Sequence, residues 1–218
     1  MFLHPRSQKS DRYPTIATIP IKIMTNLVNP LDSIIQAAAQ LPETGIAANY
    51  HKRIGTGNLD IRCLLLDTSG SMSMECKGKD RRIDVLRKAV EALDWQSYRL
   101  FTFDSFCVEI PNPSALWATG GGTALDLGLK EIAKLNPSQT VIISDGEPNN
   151  EQDAIAAAGL LSGTISTVYI GDDTDKSAIA FMRKLATLGC GNTYVRDLGR
   201  GHAELSGIIS NLLPPSQS

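Results

Sequence analysis

Leu64-Leu65-Leu66-Asp67-Thr68-Ser69-Gly70-Ser71-Met72-Ser73 is the stretch on which the fold turns. A run of leucines stops at a carboxylate. A turn of small residues follows, with hydroxyls at Ser69 and Ser71. Two accounts fit the segment taken alone. It is a strand followed by an ordinary polar turn, or a strand ending in oxygen ligands for a hard cation. The residues on either side separate the two.

Outward from this stretch, strand and helix patterns alternate to the end of the chain. Short apolar runs predict strands at about 61–66, 98–103, 106–110, 140–144, 166–170 and 193–196. Several lack polar alternation, as strands buried on both faces do. Helical stripes lie between them. One carries Ile83, Leu86, Ala89, Val90 and Leu93, and another Leu125, Leu129, Ile132 and Ala133. Residues 151–161 are Ala-rich behind an acidic start, which suits a helix N-terminus. Ile179, Met182, Leu185 and Ala186 mark a helix closed by Gly189. Leu205, Ile208, Ile209 and Leu212 mark the last, stopped by Pro214-Pro215.

Strands alternating with helices imply parallel pairing through right-handed crossovers. The two strands within FTFDSFCVEI are too close for a crossover and must form a hairpin. The expected fold is therefore α/β and Rossmann-like. It is a doubly wound, mostly parallel six-stranded sheet with one antiparallel edge strand and helices on both faces. Residues 1–58 differ, with five prolines and one helix expected at about 31–40. The expected organisation is an N-terminal arm over 1–58, a domain over 59–213 and a short tail over 214–218.

The totals bound the function. The chain has 218 residues and a formal net charge of −2, which gives no reason to expect nucleic acid or an anionic membrane surface. No apolar run approaches the roughly 18 residues of a membrane span. The N-terminal residues carry no apolar signal core. Cys63, Cys76, Cys107 and Cys190 form no C-x-x-C pair, and His4, His51 and His202 are scattered. A cytoplasmic, disulfide-free protein is the expectation.

In an open parallel sheet, ligands bind beyond the carboxyl ends of the strands. Asp67 ends one predicted strand, and Asp145 follows another in Val141-Ile142-Ile143-Ser144-Asp145-Gly146-Glu147. A glycine-rich loop, Thr119-Gly120-Gly121-Gly122-Thr123, opens a predicted helix. Three loops on one sheet edge then present Asp67, Ser69, Ser71, Thr123 and Asp145. All are oxygen donors, with two carboxylates and three hydroxyls. That set suits Mg²⁺, which takes six oxygens, few of them carboxylates, and keeps waters. Mn²⁺ or Ca²⁺ are possible substitutes. Gly70 and Gly122 allow close backbone approach.

Each feature also has a plainer explanation. The serines suit a turn, and Thr123 suits the N-cap of the next helix. The glycine run resembles a phosphate cradle, but neither a Lys-Ser/Thr nor a G-x-G-x-x-G accompanies it. Asp104, Asp126 and Glu147 sit near the same edge as turn residues or as support around the site. Lys77-Gly78-Lys79-Asp80-Arg81-Arg82 reads as a solvated loop, or as a basic patch that attracts an acidic partner. Met72 and Met74 offer an apolar rim, and Trp117 is expected to pack under the glycine loop.

Asp67-Thr68-Ser69-Gly70-Ser71 resembles the D-x-S-x-S of the von Willebrand factor A family. That family's metal-ion-dependent adhesion site adds a threonine and an aspartate from two later loops. Thr123 and Asp145 match them, and the resemblance runs over about 61–213. It implies a non-enzymatic role in which a partner protein's Asp or Glu completes the coordination of Mg²⁺. It further suggests an intracellular, prokaryotic-type adaptor or regulatory subunit. The partner would be an AAA+ ATPase or a kinase/phosphatase stress-response module. The alternative is a Mg²⁺-dependent phosphotransfer or phosphohydrolase enzyme using Asp67 as nucleophile. Against it, the residue two positions on is Ser69 and not a second acid.

Overall fold

The computed structural model describes residues 58–76, 79–196, 198 and 201–213. The arm expected over 1–58, its last residue apart, and the tail over 214–218 lie outside the described residues, as does the helix expected at 31–40.

Six strands form one sheet: β1 (Asn58–Asp67), β2 (Arg99–Phe103), β3 (Cys107–Ile110), β4 (Pro137–Ser144), β5 (Thr164–Tyr169) and β6 (Cys190–Val195). Their order is β3-β2-β1-β4-β5-β6. All neighbours pair in parallel except β2 and β3, the expected hairpin. Five helices complete the alternation: α1 (Arg82–Glu91), α2 (Leu125–Ala133), α3 (Glu151–Ala158), α4 (Lys176–Leu188) and α5 (His202–Leu212). The strands and helices predicted over 61–213 are all present. β1 starts three residues earlier than predicted, because Asn58-Leu59-Asp60 carries no apolar run, yet Asn58 pairs with Pro137 of β4 across a register irregularity.

The leucine run shows why the sheet is double-covered. Side chains alternate across a strand. Leu64 and Leu66 join the core under α1 and α5, with Leu86, Val90, Leu205 and Ile209. Cys63 and Leu65 join the opposite core under α2, α3 and α4, with Leu129, Ala157 and Met182. All four β1 side chains are fully buried. Each large one contributes about 1.5–3 kcal/mol of burial free energy. A run without alternation is therefore the signature of the central strand. The edge strands differ, and Val108 and Glu109 of β3 are exposed. No helix among the described residues is long and apolar enough to cross a membrane.

β1 is the middle of the winding. From it the chain goes to β2 on one side and returns to β4 on the other. The connections diverge there and leave a crevice at the carboxyl ends of β1 and β4. Register places Leu66 beside Ile143, so Asp67 ends next to Ser144.

Leu65→Ala should destabilise the domain by about 2–5 kcal/mol, since it opens a cavity between sheet and helices. Leu160→Ala, at a side chain 62% exposed, should shift stability by no more than about 0.5 kcal/mol. Urea unfolding followed by far-UV circular dichroism measures both.

Candidate functional site

Asp67 is fully buried at the end of β1. A buried carboxylate must have its lone pairs met. The Ser69 amide donates to its Oδ1 at 2.8 Å and the Ser144 hydroxyl to its Oδ2 at 2.5 Å. Burial nevertheless dominates and raises the carboxyl pKa to about 6. The bonds from Ser144 and Ser69 oppose the rise, and the charge of Asp145 adds to it. Ser144 was not singled out in the sequence. The signal was present: a hydroxyl ends an aliphatic strand at the position next to Asp67.

After Asp67 the chain makes a short 3-10 turn over Gly70–Ser73. Ser69 stands at its N-cap position, yet its side chain caps nothing. Its hydroxyl lies 3.0 Å from that of Ser71. Ser71 donates its one proton to Asp145 Oδ1 at 2.7 Å. The bond between the serines therefore runs from Ser69 to Ser71. These contacts connect Asp67, Ser69, Ser71 and Asp145 across β1 and β4. The Ser71 hydroxyl thus bonds the Asp145 carboxylate, and the Ser69 hydroxyl bonds Ser71.

Asp145 has a second partner that the sequence reading missed. Arg82 donates from one terminal nitrogen to Oδ2 at 2.6 Å. The Asp145 side chain is wholly buried and that of Arg82 is 17% exposed. Arg82 belongs to the stretch read as a solvated basic loop. Among the described residues of that stretch, the structure corrects this for Arg82 alone. It is the first residue of α1, where helical geometry turns the side chain toward β4. Its neighbour Arg81 is exposed and pairs with Asp84 at 2.7 Å.

The glycine-rich loop closes a third side. The Gly70 amide donates to the Gly121 carbonyl at 3.1 Å, joining this loop to the D-x-S-x-S turn. Gly120 has φ +79°, which favours glycine, and a Cβ on Gly122 would lie 2.9 Å from the Asn149 amide nitrogen. Thr123 is tied to the Asp145 loop through Asn149: its amide donates to the Asn149 side chain at 3.0 Å, and the Asn149 amide donates back to its carbonyl at 2.9 Å. Among the described residues, the Thr123 hydroxyl makes no hydrogen bond to the other four donors. Thr123 therefore joins the cluster through its backbone. The N-cap expectation for it is corrected, because Ala124 holds that position without a side-chain cap.

The remaining candidates divide. Asp104 Oδ1 accepts from the Phe106 amide at 2.7 Å and its Oδ2 from Thr119, which holds the β2–β3 turn against the glycine loop. Asp104 thus supports the loop that carries Thr123. Glu147 is exposed beyond Asp145. Asp126 pairs with Lys130 at 2.8 Å on the surface of α2. Met72 is buried, so only Met74 supplies the apolar rim expected of both. Trp117, expected under the loop, is 63% exposed.

The donor set fits a hard divalent cation. Asp67 and Asp145 are brought together through neutral hydroxyls, and Asp145 already accepts a cationic group. Among the described residues, no three of Asp, Glu, His and Cys gather as a metal cluster. Two carboxylates with hydroxyls are nonetheless sufficient for Mg²⁺, which fills the rest of its shell with water.

No family model matches the chain, and neither does any curated protein. Among solved structures, the manganese-loaded TRAP protein of Plasmodium vivax is 19% identical over 72% of this chain and 75% of its own, with a TM-score of 0.49. The SpRpn10 VWA domain is 14% identical over 68% of this chain and 94% of its own, with a TM-score of 0.48.

Ser144→Ala leaves one oxygen of a buried carboxylate without its donor. The expected cost is about 1–3 kcal/mol in chelator-treated protein, measured by urea unfolding.

Proposed function

We propose that this chain binds a divalent cation, Mg²⁺ in the cell, through Asp67, Ser69, Ser71, Thr123 and Asp145. We further propose that it uses the bound ion to hold an Asp or Glu side chain of a partner protein. The observation that carries this is the hydrogen-bonded chain from Asp67 through Ser69 and Ser71 to Asp145 at the β1–β4 switch point. Hydroxyls placed between two carboxylates offer lone pairs without adding charge. A cation held by few anions favours an anionic outside ligand over water. When bound, the ion supplies a Lewis-acidic anchor. Asp67, Ser69, Ser71, Thr123 and Asp145 would hold it.

The resemblance to the von Willebrand factor A family agrees with this chemistry. On this reading the chain acts as an adaptor or regulatory protein in the cytoplasm, with an AAA+ assembly or a kinase/phosphatase stress-response module as the proposed partner. The exposed Trp117, Phe106 and Met74 lie on or beside the loops of this edge and suit protein contact. The phosphotransfer alternative, with Asp67 as nucleophile, has Ser69 where a second acid would stand two positions on.

Asp67→Ala and Asp145→Ala should each abolish Mn²⁺ and Mg²⁺ binding in calorimetric titration while the far-UV circular dichroism spectrum persists. Thr123→Ala should weaken it by roughly tenfold, since one neutral donor is lost. Metal binding that survives Asp67→Ala would remove the site. Proteins captured by the tagged chain should elute with EDTA and be absent from the Asp67→Ala capture. Capture that is indifferent to both would leave the ion without a bridging role.

A further inference from the structure

Arg82 is a cation already aimed at the site. Its guanidinium holds Asp145 Oδ2 at 2.6 Å, while Ser71 holds Oδ1. Both oxygens of Asp145 are thus engaged by the protein itself. A divalent ion that takes Asp145 must share the carboxylate with a positive charge or displace it. At these separations the repulsion is felt even through water.

Displacement has somewhere to go. Arg82 also lines a cavity of about 160 Å³, bounded by Glu75, Cys76, Ile170, Gly171, Asp172, Asp173 and Leu198. Three of these residues are acidic. Asp172 already accepts from the Thr174 amide and hydroxyl, at 2.9 and 2.8 Å. Asp173 is exposed on the same rim. A rotation of the Arg82 side chain into this cavity would exchange one carboxylate for others on its lining.

We propose that Arg82 is a resident counter-cation that competes with the divalent metal for Asp145 and moves into the adjoining acidic cavity when the metal is taken up. The inference rests on the metal site proposed above. It makes metal affinity a property of α1 as well as of the five donors. Whatever holds Arg82 in the cavity favours the metal, and whatever returns it to Asp145 opposes it. The cavity opens beside the metal face, so a partner that reaches both can act on both.

The test is Mn²⁺ titration of the chelator-treated full chain, with free Mn²⁺ read by electron paramagnetic resonance. Arg82→Gln removes the charge and should tighten binding by about tenfold or more, from one repulsive charge lost at close range. Arg82→Lys keeps the charge and should stay within about threefold of the wild type. The double variant Asp172→Asn, Asp173→Asn weakens the receiving cavity and should loosen binding by a few-fold. Thermal scans report independently. Arg82→Gln should melt lower than wild type in EDTA, with Asp145 buried and unpaired. It should also gain more from added Mn²⁺ than wild type does.

Wild-type binding that is unchanged or weakened by Arg82→Gln overturns the competition and leaves the metal site standing. Binding absent from the wild type and from Arg82→Gln alike overturns the metal site and this inference together. Tighter binding in Arg82→Gln, with no effect of the Asp172 and Asp173 changes, overturns the cavity as the receiving place.

Discussion

Two carboxylates are buried close together at the carboxyl ends of adjacent parallel strands, and the structure around them answers that cost. Ionised groups out of water are expensive unless they are paired or hydrogen-bonded. Asp67 draws on the Ser69 amide and the Ser144 hydroxyl, and Asp145 on Ser71 and Arg82. The two are met differently. Asp67 has only neutral donors, and burial still lifts its pKa to about 6. Asp145 has a full positive charge against it. In the proposed site, a hard cation would give Asp67 the positive charge that its own neighbours do not.

The fold places these groups through side-chain parity. β1 is buried on both faces, so its leucines feed two cores and fix the strand against rotation or slippage. A one-residue slip would turn Asp67 to the opposite face, away from Ser144. The register with β4 therefore fixes the distance between the carboxylates as firmly as it fixes the packing. The turns beyond the strands do the finer placement. Gly70 against Gly121, and Thr123 against Asn149, lace the three loops together through backbone bonds.

Much of this was legible in the sequence, because strands and helices announce themselves by periodicity and by breakers. The uninterrupted run at 61–66 marked a central strand, and the two-residue gap in FTFDSF marked a hairpin. The residues proposed as donors stood out because each follows a strand or opens a helix, and four of them, Asp67, Ser69, Ser71 and Asp145, share a chain of hydrogen bonds. What escaped depends on how side chains turn at element ends. Arg82 stands in a cationic stretch where composition predicts solvent, yet it is the first residue of α1 and points inward. Ser144 looked like the last residue of a strand, and only pairing with β1 gives it a partner. Trp117 and Met72 were exchanged in the same way. A large indole suggests burial and a turn methionine suggests exposure, but the local backbone sends each the other way.

The charge balance also bears on what the site selects. Arg82 and Asp145 together are neutral, which leaves Asp67 as the net charge of the constellation. Adding a divalent ion without moving Arg82 leaves the site positive, and an anionic ligand from outside then lowers the energy. Moving Arg82 into the acidic cavity leaves a nearly neutral centre, which binds the ion more firmly and has less need of an outside anion. If Arg82 moves as proposed, one arginine would set two properties against each other: the hold on the metal and the demand for a partner's carboxylate. A site built from carboxylates alone would have only the first. In the proposed site, hydroxyl donors with a mobile counter-cation would allow both, because they leave the total charge small enough for a single side chain to take it from positive to neutral.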